Sequence, residues 1–592
     1  MPTVNRHLVT TSIEETWGHN EPILFLGEWC RLYSRRAAWQ NLNSIIATPY
    51  GLYKEIKDLD DAQVKRIKDE LFPNICLLLN AQIGVSYTER FWKILIGHWF
   101  DYHSKALLNR FKTLENCLEN FAISSISLMN SAGPFLYTPN NFESAIWDYS
   151  NQNWNEAIYA KIFHEISPPS IAINQLQKKR VVASKKISPF GDLAPKKLLK
   201  QTWKALRQIL GLVQNQSSPL IIGSYLPYNE EKALLKSFGL LPITERAYEF
   251  KLRSQPDFQL REKLSTELVQ GNKDKYTKFI AKMVFELIPT CYLEDFSALS
   301  LAASDLPWPS RPRFIFTSNH FATDEIFKIW TAKKILQGTP YVTGQHGNNY
   351  GTHRYMNPSI EEESADHFIT WGWSDNAPKE VPGFIFKLDG SQAQGYDPNG
   401  GLALIELHAS LMVSTWDECA EFTKYFSEQK EFVARLNPPI RKCLTIRLHN
   451  DHFRLSWSEP ARWLDFDPLL KVDLGNSPVS KLILSSRLLV FSYDSTGILE
   501  ALSQNIPMVA FWQNGLDHLR DSAVPYYELL LEAKIIHKSP ESAALLINSI
   551  WDDVEKWWQS EAIQGARLEF CKKYANLSQN PSGDLKRILD SL

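Results

Sequence analysis

Residues 314–351, FIFTSNHFATDEIFKIWTAKKILQGTPYVTGQHGNNYG, read as strand, helix, strand, with polar residues where each strand runs out. Phe314 to Thr317 is a short apolar, β-rich run that ends at Ser318, Asn319 and His320. Thr323 is placed to cap a helix whose apolar positions Ile326, Phe327, Trp330 and Ile335 share a face. Gly338 stops that helix, and Tyr341 to Thr343 begins a second strand that runs into Gly344, Gln345, His346 and Gly347. In an open α/β sheet the ligand crevice lies past the carboxyl ends of the strands. His320 and His346 therefore stand where such folds carry out chemistry. The glycines around His346 let backbone and ligand come close.

The rest of the chain repeats this rhythm. Pro22–Leu26 followed by Gly27-Glu28-Trp29-Cys30 reads as a first buried strand meeting a loop, with Glu28 at its end. Residues 55–125 and 245–300 are helical in pattern, and further strands are expected at 219–223 and 366–373. Residues 376–400, rich in Pro, Gly and polar side chains, form the best linker candidate. Beyond it strands recur at 402–405, 443–449, 488–492 and 507–511, with a helix around 417–435 and a helical, Trp-rich tail. Strands alternating with helices predict parallel sheets covered on both faces. The expected architecture is two Rossmann-like domains facing a cleft, residues 1–380 and 381–592, with additional helices in the N-terminal half.

At 592 residues the chain exceeds a single core. A net charge of −2 offers no field for nucleic acid, so none is expected as a partner. The seven cysteines are scattered without metal-ligand spacing, which predicts reduced thiols in a cytoplasmic protein and no metal or other cofactor. One segment is locally basic: residues 175–207 carry ten Lys/Arg against one acid, Asp192. With Leu and Trp interleaved, it suits a peripheral contact with an anionic inner-membrane surface as well as it suits a solvated loop and helix face.

In the second half, the strand at Val490-Phe491 opens into Asp494-Ser495-Thr496 and a helix that includes Glu500. Free N–H groups and the positive dipole end of such a helix make an anion site, although an ordinary cap by Asp494 or Ser495 explains the same residues. Arg447-Leu448-His449 ends another strand of that half and supplies a cation and a histidine suited to a phosphate leaving group. In the first half His346 is the leading general base, with His320 and Glu28 as further candidates and Gln345, Gly347 and Asn348 as cleft residues. Of Glu361, Glu362 and Glu363, one at most is expected to face a cleft.

LGEWC near the start, GQHGNNYG followed by acids and WGW, then RLH and DSTGILEAL, together resemble a family of transferases encoded in bacterial O-antigen and surface-polysaccharide regions. The last three motifs are also similar to those of capsule Kdo transferases and teichoic-acid polyol-phosphate transferases. The resemblance implies a glycosyltransferase of the GT-B type, acting at the inner membrane face with a nucleotide-sugar donor and a glycan or lipid-linked glycan acceptor. It implies that His346 lies near the acceptor and that His449, Ser495 and Thr496 hold the phosphate or carboxylate of a cytidine-type donor. The related transferases carry His-Pro where this chain has His449-Asn450. A CDP-polyol phosphotransferase and a non-catalytic carbohydrate-binding assembly protein are the alternatives.

Overall fold

The computed structural model describes residues 4–18, 21–130, 138–177, 215–240, 254–272, 274–356, 358–390, 395–408, 422–454, 456–512 and 514–592. These residues form three sheets, all parallel, each flanked by helices. The first has the order β3-β2-β1-β4-β5, from β1 (Arg6–Val9), β2 (Ile23–Phe25), β3 (Ser44–Ile46), β4 (Ile123–Asn130) and β5 (Ala172–Gln177). The second runs β10-β9-β8-β7-β6, from β6 (Leu220–Ile221), β7 (Ile315–Thr317), β8 (Tyr341–Gly344), β9 (His367–Thr370) and β10 (Glu380–Pro382). The third runs β13-β12-β11-β14-β15-β16, from β11 (Gly401–Ile405), β12 (Leu444–Arg447), β13 (Lys471–Asp473), β14 (Ser486–Phe491), β15 (Met508–Phe511) and β16 (Ile536–His537). The third is the doubly wound dinucleotide-binding order, whose ligand crevice opens where β11 parts β12 from β14.

The α/β class and the parallel pairing expected from the sequence are present. Two of the three sheets lie between residues 6 and 382, so the second crosses the boundary expected at 380; the long helices Lys54–Ile83 and Glu89–Asn120 stand between β3 and β4. The 314–351 segment folds as read, with one correction. The cap of the Glu325–Ile335 helix is Asp324, not Thr323, and its carboxylate accepts the Phe327 N–H at 3.0 Å. A carboxylate outcompetes a hydroxyl here because it accepts a second bond at the same time, from His320. Residues 376–400 are only partly a linker. They include β10 and the buried Phe384, Ile385 and Phe386; Phe384 and Phe386 complete the second sheet's core, and Ile385 packs in the neighbouring core with Trp371 and Trp373. The helix expected near 417 is described from Phe422 onward. The basic stretch at 175–207 lies outside the described residues apart from the end of β5.

The tail crosses back to the second sheet. Ile385 and Asn576 join through the backbone, Asn576 bonds the carbonyl of Trp371, and Leu585 and Leu589 of the last helix are buried beside Ile369 and Phe384. The first sheet's unit meets the third through Tyr33, which donates to Asp465 at 2.6 Å, and through Trp147, under the Arg454 guanidinium at 4.4 Å.

Gln345 ties β8 to β9. Its Oε1 accepts the Trp371 N–H at 2.9 Å and the Trp373 indole at 2.8 Å, its Nε2 donates to the Gly347 carbonyl at 2.9 Å, and its own carbonyl takes the Trp371 indole at 3.0 Å. At 1 % exposure it shapes the loop from beneath and does not line the cleft as expected, because both lone pairs of its side-chain oxygen and one of its amide hydrogens are engaged by protein groups. Gln345→Leu strands the Trp371 and Trp373 donors and should cost about 3 kcal/mol of stability, read as a lower denaturant midpoint, with Gln345→Glu intermediate.

Candidate active site between the second and third sheets

Three strand ends of the second sheet converge. Past β6, Tyr225 takes a left-handed backbone (φ 62°), a conformation costing roughly 1 kcal/mol that structures retain at functional sites. Its ring lies parallel to the His346 imidazole past β8, with centroids 6.0 Å apart. Past β7, His320 Nδ1 pairs with Asp324 at 2.8 Å. Gly223 is required there: with φ 60°, a Cβ on it would lie 2.5 Å from the His320 ring. Phe321 also packs on His346, tilted, with centroids 5.5 Å apart.

His346 Nδ1 is 2.9 Å from the Tyr350 hydroxyl, and Tyr350 donates its proton to Glu361, which His98 Nε2 meets at 3.2 Å. Nε2 of His346 has no hydrogen bond among the described residues, which leaves it for a ligand. Burial holds the His346 pKa below the ordinary histidine value, Glu361 opposes that shift, and Lys387 and His98 reinforce it. The glutamate run 361–363 is not a solvated face. Glu361 reaches Tyr350, Glu362 closes a capping box with Ser359, and Glu363 pairs with Lys93 at 2.7 Å.

The loop carrying His346 touches the third sheet directly. Asn348 N–H donates to Thr496 Oγ1 at 3.0 Å, and Asn348 Nδ2 donates to Asp494 at 2.8 Å. Gly347 permits the approach, since a Cβ there would sit 3.1 Å from Thr496 Oγ1. Asp494 is consumed by this junction, accepting also from His518 Nε2 at 3.0 Å and Tyr527 at 2.8 Å. It therefore caps nothing and is closed to a donor nucleotide. Ser495 is the N-cap of the Thr496–Ser503 helix, yet it makes no side-chain capping bond. Its hydroxyl is buried without a partner among the described residues. The helix start thus lacks the side-chain cap that the simpler reading required. Lys387 bridges the halves, 3.7 Å from Glu500 and 5.2 Å over the Tyr225 ring.

The remaining candidates divide. His449 stacks on His408 at the end of β11, with centroids 4.5 Å apart, and burial followed by their mutual repulsion lowers the pKa of His408. His449 accepts the Asp451 N–H at 3.1 Å, and burial lowers its pKa as well. Arg447 turns away: it pairs with Asp473 at 2.7 Å and donates to the Ser477 carbonyl at 2.5 Å, so its charge is compensated within the sheet. Glu28 sits on the first sheet with its carboxylate oxygens on Arg31, both at 2.9 Å, and does not join the histidines. Sequence reasoning passed over Tyr225, Tyr350, Lys387 and His408. The last follows the strand at 402–405 and was available to the same strand-end rule that found His449. His353, Asp494 and His518 are buried with potential ligand atoms within 4.8 Å of one another, a spacing a metal could use. Within it Asp494 accepts from His518 Nε2, and from outside it Asp494 accepts from Asn348 and Tyr527.

Among solved structures, HepE from Anabaena in complex with UDP and glucose is 12 % identical, over 54 % of this chain and 90 % of that one, at a TM-score of 0.33. UDP-GlcNAc 2-epimerase from Neisseria meningitidis bound to UDP-GlcNAc is 11 % identical, over 65 % of this chain and 94 % of that one, also at 0.33. WaaG, a glycosyltransferase involved in lipopolysaccharide biosynthesis, is 12 % identical, over 50 % of this chain and 95 % of that one, at 0.25. No curated protein matches the chain. The model of the LIC12162 family transferases matches residues 6–589, and the chain belongs to that transferase family.

Proposed function

We propose that this transferase is a GT-B type glycosyltransferase, moving a sugar from a nucleotide-activated donor, CMP-linked by preference, to a surface-polysaccharide or O-antigen acceptor. The observation that carries the reading is one junction. A helix start without a side-chain cap, with the unpartnered Ser495 hydroxyl at its head, is hydrogen-bonded through Thr496 to the loop that presents His346. Base and anion site thereby share one cleft.

In the reaction, His346 Nε2 takes the proton of an acceptor hydroxyl as its oxygen attacks the anomeric carbon. The bond from that carbon to the donor phosphate breaks, and the phosphate leaves as an anion toward the helix start. There, fixed N–H dipoles and the Ser495 hydroxyl stabilise the growing charge without reorganising. His449 and His408 flank the nucleotide at the neighbouring strand ends. Lys387 and Glu500 join the two walls, and His320, oriented by Asp324, is the second candidate base.

Ligand-induced melting against CMP, CDP, UDP and GDP should show a shift with one of them; no shift with any overturns the transferase chemistry in favour of a non-catalytic binding protein. His346→Ala should lower kcat by about 10²–10⁴-fold with the nucleotide shift retained. A phosphodiester in the product would assign the CDP-polyol phosphotransferase instead. His346 must be neutral to act, and its pKa is lowered. Activity is therefore lost only as pH falls through that lowered value, which puts the acid limb of kcat/KM below about 6.5; Lys387→Met should move the limb up. We propose a reaction without a metal, so activity should survive EDTA; its loss would return attention to His353, Asp494 and His518.

A further inference from the structure

We propose that Tyr350, Glu361 and His98 are positioning residues for His346, forming a relay that holds its imidazole as the Nδ1–H tautomer and that is reached from a cavity other than the substrate cleft. The inference rests on reading His346 as the base.

The tautomer follows from counting protons. Tyr350 has one hydroxyl proton, and burial with Glu361 alongside pushes its pKa far above neutrality, so the proton stays. Burial would raise Glu361, but the hydrogen bonds and charge of His98 and the Tyr350 bond outweigh it and hold the carboxyl down at about 2, ionised. A carboxylate only accepts, so the Tyr350 proton points to Glu361. The Tyr350 oxygen can then only accept from His346, and Nδ1 must carry the hydrogen. The lone pair falls on Nε2, the nitrogen left for the acceptor. When Nε2 takes a proton, the resulting imidazolium is joined to the Glu361 charge through one hydroxyl.

The relay ends in a second chamber. A cavity of about 570 Å³ lies between the helices Lys54–Ile83 and Glu89–Asn120 and the 355–363 segment, with Phe72, Phe100, Lys93, Asp101 and Ile360 among its walls. His98 and Glu361 line it too. Nδ1 of His98 has no hydrogen-bond partner among the described residues. The His98 ring stacks on Phe321 at 5.7 Å, and Phe321 in turn packs on His346, so both imidazoles contact one phenyl ring. The groups facing His346 are Glu361, Lys387, His98, Tyr350 and Tyr225, and its titration answers to all of them.

Long-range ¹⁵N–¹H correlation on histidine-labelled protein reads this without substrate, with His346 assigned among the 14 histidines by loss of its signals in His346→Gln. We expect the Nδ1–H tautomer in the native protein and a mixed tautomer in Tyr350→Phe. Glu361→Gln should lower the His346 titration midpoint by at least half a pH unit, roughly, and His98→Ala should raise it. Opposite signs distinguish a relay from general loosening. Imidazole added to His98→Ala should restore the native midpoint by entering through the cavity; failure to restore it overturns that access. An Nε2–H tautomer in the native protein, or a tautomer unmoved in Tyr350→Phe, overturns the relay. If the relay is found but His346→Ala keeps full transfer activity, the base assignment fails and the relay stands.

Discussion

The contact of Asn348 with Thr496 and Asp494 fixes the second sheet's loops to those of the third. Two parallel sheets approach with the carboxyl ends of their strands, the edges where backbone donors and loop side chains collect. One backbone N–H and one side-chain amide fix the loop after β8 against the turn after β14. Asp494 receives three buried donors at that point, so removing any one leaves a charge short of partners in a place water does not reach. The separation between the imidazole and the helix start is therefore a property of the fold.

The polar residues named above differ in how far protein groups engage them. Gln345, Asp494, Arg447 and Asp324 are hydrogen-bonded to protein groups that fix backbone and rings. Nε2 of His346 and the hydroxyl of Ser495 have capacity left over. A buried donor or acceptor left unengaged costs free energy, and an active site is where that cost is regained on ligand binding.

Much of the fold was legible because its signals are local. Most strands of the second and third sheets are short apolar runs closed by Gly, Asn or hydroxyl residues, which period and punctuation suffice to find, whereas β10 (EVP), β13 (KVD) and β16 (IH) are too short and too little apolar to stand out. Tyr350 and Glu361 stand four and fifteen positions past His346 in sequence, but what joins them is a turn geometry no spacing rule encodes. Glu361, Glu362 and Glu363 are alike as letters, and only the packing of a five-residue helix gives them three separate tasks. Arg447 looked like an anion ligand because sequence shows a cation at a strand end and hides Asp473, on the adjoining strand and 26 residues later. Gln345 was misplaced for the same reason, since its tryptophan partners come from the next strand.

The return of the tail to the second sheet has a consequence for biosynthesis. Leu585 and Leu589 sit in a core otherwise built from Ile588 and residues between 221 and 386. The first sheet can close as its own strands emerge from the ribosome, since all of them precede residue 178. The second sheet cannot: it waits with Ile369 and Phe384 uncovered while the whole third sheet is made. During that interval the nascent chain presents an apolar face, the kind of surface that chaperones bind and that premature termination would leave permanently exposed.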